Sequence, residues 1–535
     1  MNRHLLAIGA AVLAAGATIP AIPLATRASY NDQAGHDAAV QKLRDRGYLV
    51  GDEARYAALK EAAIAKAPGW QGVAAARPSR PPASTAAPAP SPSFGGVREN
   101  DLSPSDSTGA IGTTEYVEAI NVQLALYSRS GSKIASGPAE KLTGTTHFDL
   151  SDPQVLWDKN TNRFYYLYLD VTDSTFRWGF SKSAGPKSVT GRDWCSYTAD
   201  FGYGLELPDY PKMGQTTHNL IVSANVYAGQ AFVGADLDFI QKPSGTATIT
   251  SCPKGPFAQS QTRMLTNPDG APASDLSPGV QEDAGLNAWV AGLPDPTNSG
   301  TFTGSYLDLY EVTETGPGTA TVSPATAITV ASYDLPAPAP QKGTTAALDT
   351  LDGRLTHAVT DRDPAIGGLA LWTSHTVFGG AGAQVRWYEI NVTSQTLAQP
   401  EGYITDPSLS VLDGGVSDDR AVNAGLFGSD MVAGVTTSSS TTYPADQEVV
   451  KVGHAGAQSP LAMVHQSPAA DQGFDCFVDP GRFVCRWGDY SGAVPDPAPP
   501  SATVGRVWLA QMDSVGGGPN PLAAEWGTWN WAAAP

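Results

Sequence analysis

The chain has 535 residues, a formal net charge of -19 at pH 7, 16% charged residues and 41% hydrophobic ones. The apolar content, rich in Trp, Tyr and Phe, rules against a disordered chain. The acidic balance rules against a nucleic-acid binder, which needs a basic face to meet phosphates, and gives no reason for attraction to an anionic membrane.

In chain order, Arg3 and His4 precede the apolar run LLAIGAAVLAAGATIPAI, with small residues following at LATRAS. This predicts a secretory signal peptide over residues 1–28, with an uncleaved anchor as the alternative. The expectation is a secreted, extracellular monomer, free of the membrane once the signal is cleaved. Residues 29–67 are rich in Ala, Lys, Glu and Arg, and predict two short helices broken near Gly47 and Gly51, as a propeptide or appendage. Residues 68–95 form a Pro/Ala/Ser linker that cannot build a core.

From residue 96 to 535 the texture is all-β, with 56 Gly and 42 Pro residues in the chain to supply turns. One pattern recurs: an acidic or Gly-rich turn, a strand of small apolar residues, then an aromatic strand. SDSTGAIGTTEYVEAINVQLALYS, SDPQVLWDKNTNRFYYLYLDV and PDYPKMGQTTHNLIVSANVYAGQAFVG are three of its copies. The seven units predict a seven-bladed β-propeller preceded by a short helical and Pro-rich N-terminal region. Crowding at the axis assigns IVSANV, NAWVAG, AVNAGL and YSGAV to inner strands, and YYLYL, RWYEI and VWLAQM to middle ones. The terminal WGTWNW is expected to join the first blade and fasten the ring.

Cys476 and Cys485 flank FVDPGRFV, a predicted hairpin turning at Asp479-Pro480-Gly481, across which a disulfide is easy. Cys195 and Cys252 can form a second bridge, an assignment made partly by elimination. DKNTNR, Asp158–Arg163, has alternating oxygen ligands but lacks the later Gly and Glu of a calcium loop, so a hairpin turn is expected.

SDSTGAIGTTEYVEAIN, DPQVLWDKNTNRFYY, DYPKMG with SANVY, LDTLDGRLTHAV with VRWYEIN, and RWGDYSGAV with WGTW together resemble a group of secreted bacterial proteins. That group is predicted to consist of seven-bladed propellers loosely related to the sialidase-like superfamily. The resemblance spans residues 94–531 and implies the fold; it implies no activity. The Phe/Tyr-Arg-Ile-Pro and Ser-x-Asp-x-Gly-x-x-Trp motifs of true sialidases are absent, so Arg354, Arg386, Arg420 and Arg486 have no sialidase frame.

Asp106, Asp152, Asp209, Asp283, Asp352, Asp419 and Asp489 each precede or begin a predicted inner strand. Equivalent blades would bring them to one mouth of the channel. Such a ring can supply the acid and base of glycoside hydrolysis, hold a structural Ca2+, or cap local turns. The catalytic candidates are Asp152, Asp209, His218 and Asp489, and the substrate-binding candidates are Tyr210, Lys212, Arg386 and Arg486. His218 with Tyr210 can abstract the proton beside a uronate that Arg386 or Arg486 neutralises, the chemistry of a polysaccharide lyase. His357 and His375 read as core or channel-wall residues, and no metal-binding spacing is present. The expected function is binding of an extracellular glycan or protein. The alternative is a carbohydrate-active enzyme, a glycoside hydrolase or polysaccharide lyase, with its site at the channel mouth.

Overall fold

The computed structural model describes residues 53–67, 90–145, 149–283, 285–294, 304–421, 427–477, 484–501, 504–520 and 522–535. The predicted signal peptide, the break near Gly47 and Gly51, most of the linker, the run after Ala421 and the Asp479-Pro480-Gly481 turn lie outside them.

The chain is a β-propeller. Its described residues form seven antiparallel sheets of four or five strands, and one small three-stranded sheet. Within a sheet the strands follow chain order from inside outward, as in 150–158, 163–170, 175–181 and 194–199. The innermost strands are Thr108–Ile111, Leu150–Asp158, Glu206–Gln215, Ala273–Pro278, Leu355–Asp363, Ser410–Asp418 and Gly492–Pro495. Each touches the next in that order, and the last touches the first.

Burial grades with position. Leu150–Asp158 is buried at every residue, whereas the outer strand Thr326–Tyr333 alternates between exposed and covered positions. Aromatic side chains fill the wedges that open between diverging sheets. Trp157, Phe164, Tyr166 and Trp194 pack with Val117 and Leu126, and Tyr116 stacks on Trp508 at 4.8 Å. The DKNTNR segment is the expected turn: Asp158 accepts from the Asn160 amide and the Thr161 hydroxyl, both at 2.9 Å.

Two strand assignments are corrected. IVSANV and NAWVAG lie on second strands, Asn219–Ala228 and Asn287–Pro294, not innermost ones. Two acidic segments expected to be turns, SDP and PDYP, lie inside innermost strands, as do ASDLSP and SVLDGG. They carry an irregularity in register, between Ser151 and Gln154, Asp209 and Lys212, Ser274 and Ser277, and Leu412 and Gly415. A bulge reads as a turn in sequence because both require an unusual backbone.

The ring seam also differs from expectation. Trp526–Ala533 does not enter the first sheet; it lies in the last, and Ser93–Gly95 pairs with its outer edge, Ser93 opposite Trp531. Glu118 of the first sheet accepts from Tyr127 Oη at 2.8 Å, the Val97 amide at 3.2 Å, Asn530 Nδ2 at 2.8 Å and the Thr528 hydroxyl. A Cβ at Gly96 would lie 2.2 Å from that carboxylate, so only glycine passes here.

Both disulfides form. Cys195–Cys252 ties an outer strand to a loop 57 residues on, and Cys476–Cys485 closes a span of 9. Cys476 sits in a 3-10 turn, Phe474–Phe477. Cys485 belongs to the short strand 484–485, which runs parallel to 347–348. No helix among the described residues is long and apolar enough to cross a membrane.

Candidate functional site at the channel mouth

One left-handed residue marks the start of each of the seven inner segments. They are Asp106, Asp152, Tyr210, Asp275, Leu351, Asp413 and Asp489, with φ between 50° and 67°. Asp is among the few side chains that tolerate this region, at a cost of about 1–2 kcal/mol against extended backbone. The bends aim these side chains inward, and neighbouring sheets hold them. Asn121 donates to Asp106 Oδ2 at 2.7 Å and accepts the Asp152 amide at 2.9 Å. Asn225 donates to Asp275 Oδ1 at 2.7 Å and accepts its amide at 2.9 Å. Thr376 accepts the Asp413 amide at 3.1 Å.

Two tyrosines cross the axis and form a floor. Tyr210 Oη donates within reach of the Asp489 carbonyl, 2.7 Å, and the Leu355 carbonyl, 3.1 Å. Tyr490 Oη reaches Asp152 Oδ2 at 2.9 Å, and the two rings lie 4.7 Å apart. Lys212 Nζ stands 3.5 Å from the Tyr210 ring centre, and the Arg354 guanidinium 4.3 Å from it. Arg354 holds Asp352 through Nε and Nη2 at 2.8 and 2.9 Å, and its Nε is 3.9 Å from Asp275. Arg486 Nη2 donates to Asp489 Oδ2.

The electrostatics separate these groups. Burial, then the charges of Asp489 and Asp152, push Asp106 well above the carboxylate range. Burial, then Asp489, does the same to Asp413. Asp489 is raised by burial to about 6, with Arg486 and Arg354 opposing. Burial drops Lys212 to about 7 although Asp275, Asp352 and Asp152 favour its cation. Lys212 Nζ, Asp106 Oδ1, Asp489 Oδ1 and both Asp413 oxygens are buried without a hydrogen-bond partner. A buried polar atom left unpaired costs about 1–3 kcal/mol.

The geometry brings together Asp152, Asp209, Tyr210, Lys212, Arg486 and Asp489 of the sequence candidates. His218 is elsewhere. It follows the far end of the strand Glu206–Gln215, is 57% exposed, and meets Glu314 Oε1 at 2.7 Å. Arg386 sits on a third strand, donating to the Ala331 and Ser332 carbonyls at 2.6 and 3.2 Å. The lyase set is therefore divided between separate parts of the molecule. Asp283 and Asp419 also leave the ring, because they follow inner strands rather than open them; Arg420 clasps Asp283 at 2.7 Å. Asp275 and Asp413 take their places. The signal for them was present in ASDLSP and SVLDGG, each an Asp inside a short apolar strand.

His375 is a satisfied core residue. Burial lowers it to about 3, so its neutral ring donates from Nδ1 to the Gly353 carbonyl at 2.8 Å and accepts from Tyr388 Oη at 2.9 Å. His357 is half-buried on an inner strand, lowered to about 4 by burial, with the Ala493 backbone beside it.

Among the described residues, the groups whose ligand atoms lie within 4.8 Å are Asp363–Glu389–His454 and Asp471–Cys476–Cys485; the two cysteines are consumed by a disulfide. His454 Nε2 lies 2.8 Å from Asp363 and 3.1 Å from Glu389, away from the mouth.

No protein-family model and no curated protein matches the sequence. Among solved structures, the Dos1 propeller overlaps 83% of this chain and 94% of its own at 11% identity, TM-score 0.34. A GH43 glycoside hydrolase engineered for endo-xylanase and exo-arabinofuranosidase activity overlaps 80% of this chain and 97% of its own at 8% identity, TM-score 0.28. The endo-arabinase of Bacteroides thetaiotaomicron overlaps 70% and 92% at 9% identity, TM-score 0.27.

Proposed function

We propose that the protein is a glycoside hydrolase whose site is the carboxylate ring at the mouth of a seven-bladed propeller. One observation carries the reading: Asp106, Asp413 and Asp489 stand in one ring with buried carboxyl oxygens that have no hydrogen-bond partner, and their surroundings act on them differently. Asp106 is held protonated by burial and by Asp489, while Arg486 and Arg354 hold Asp489 lower. Two neighbouring carboxyls pushed apart in this way are an acid and a base. Asp106 donates the proton to the leaving sugar oxygen. Asp489 acts on the other side of the bond, as base toward water or as nucleophile, with Asp152 in the same group. Tyr210 and Tyr490 brace the ring through their hydroxyls, with Lys212 and Arg354 lying against the Tyr210 ring.

Charge narrows the substrate. With Asp106 and Asp413 neutral, Asp152, Asp209, Asp352 and Asp489 still outnumber Arg354 and Arg486, and both arginines are already paired with Asp. A uronate would meet net negative charge, so a neutral glycan is favoured over an acidic one. Asp352 caps the Arg354 amide at 3.2 Å, the local-turn role, whereas Asp106, Asp152 and Asp489 accept from Asn, Tyr and Arg side chains.

The test is incubation with neutral, acidic and amino polysaccharides, following new reducing ends and the absorbance of unsaturated uronates. The expected result is reducing ends from a neutral glycan, without absorbance, and their loss in Asp106→Asn and Asp489→Asn. Binding without turnover in every case would instead support a non-catalytic glycan receptor.

A further inference from the structure

A segment of the same chain packs against one side of the ring's rim. The helix Glu53–Lys66 turns Tyr56, Lys60, Ala63 and, one residue past its end, Ala67 to one side, the spacing of a single helix face. Lys60 is 2% exposed and donates from Nζ to Thr350 Oγ1 at 2.8 Å, with Asp349 3.9 Å away. Tyr56 Oη lies 3.4 Å from Asp349 Oδ1, and Asp349, Asp352 and Arg354 all act on its hydroxyl. Ala63 and Ala67 pack with Ala337, and Lys66 meets Asp334 at 3.5 Å.

The surface beneath is the rim of the ring itself. Residues 349–354 lead into the inner strand Leu355–Asp363 and carry Leu351, Asp352 and Arg354, and Asp349 is close enough to raise Asp489. The apolar part of the contact is small: Ala63, Ala67 and Ala337 with Ile64 and Phe378 beside them, at about 25 cal/mol per Å² of buried area.

We infer that this helix is an intramolecular cover: docked, it closes the channel mouth against glycan, and its displacement opens the site. The inference rests on the mouth being the functional site, and adds its regulation.

The test uses the full chain, as wild type, Lys60→Ala and Ala63→Asp. The first variant removes the bond to Thr350; the second puts a charge against Ala337. Two readouts need no substrate: acetic anhydride labelling of the Lys212 amine, located by peptide mass spectrometry, and hydrogen exchange of residues 349–354. Both variants are expected to label Lys212 at least about tenfold faster than wild type, with exchange raised at the rim and unchanged around Cys195–Cys252. Unchanged labelling in both variants would overturn the cover, even if glycan is cleaved. Faster labelling with no cleavage of any glycan would leave the cover standing and remove the hydrolase reading.

Discussion

At the scale of the residue, Asp106, Asp489 and Lys212 make the mouth testable. Replacing Asp106 or Asp489 by Asn keeps shape and removes the proton transfer, so kcat is expected to fall by about 100-fold or more, with melting temperature at or above wild type. Activity on a neutral glycan is expected to rise through about pH 6, where Asp489 ionises, and to fall again at higher pH as Asp106 loses its proton. An acid limb that survives Asp489→Asn would reject that assignment. Lys212 contributes in the opposite sense. Its folded value of about 7 lies below the ordinary 10.5, so between those values the unfolded chain holds a proton the native one has released. Stability therefore rises with pH across that window. Lys212→Met should flatten the rise and stabilise most below about pH 7, by roughly 1–4 kcal/mol, as denaturant titrations at two pH values would show. The sequence disclosed Asp106, Asp152 and Asp489 because Asp recurs at the head of each unit. It misplaced Asp283 and Asp419 because an Asp before an inner strand and an Asp after one look alike without the register. It could not separate His218 from Tyr210, since the strand running on to Gln215 and the turn after it carry His218 to the other end.

At the scale of the element, the two disulfides should behave differently. Cys195–Cys252 closes a span of 57 residues and Cys476–Cys485 one of 9. Loop-closure entropy assigns about 4 kcal/mol to the first and about 2.5 kcal/mol to the second. Yet the shorter bridge is the one that holds the mouth. Cys485 pairs beside 347–348, its carbonyl accepts the Asp349 amide at 2.8 Å, and Arg486 and Asp489 follow at once. Replacing both cysteines of the 195–252 pair by Ser should lower stability more, while the same change at 476–485 should cost more activity. Calorimetry and kcat measured on the same two variants check the crossing. The elements themselves were partly legible. Short β runs, the placing of YSGAV on an innermost strand, and the DKNTNR turn were read correctly. Other inner strands were displaced by one because an Asp-rich bulge imitates a loop.

At the scale of the whole molecule, the sheets are held in a circuit by packing between neighbours and by one seam. The seam is where first and last segments meet: Ser93–Gly95 beside Trp529–Trp531, and Glu118 gripped by Val97, Thr528 and Asn530. Removing residues 1–67 takes away the cover and should leave the melting temperature unchanged. Extending the deletion through residue 97 strips the edge strand and one donor to Glu118, and should lower it by about 2–5 °C. Equal melting temperatures would mean the seam strand is ornamental. A repeat of turn, small strand and aromatic strand was enough to announce a propeller. Which end closes the circle was not written in it, because WGTWNW can pair with either neighbour by pattern alone.

The seam also sets a clock. Ser93 and the Trp529 ring that bonds it at 2.9 Å are 436 residues apart. At a synthesis rate of about 5–20 residues per second, the first partner waits roughly 20–90 s for the second to be made. Throughout that wait the buried Glu118 carboxyl lacks the donors from Thr528 and Asn530, and the first and last sheets have open flanks. The circle is thus the last thing the chain acquires, and every earlier sheet must persist as an arc until the final eight-residue strand arrives.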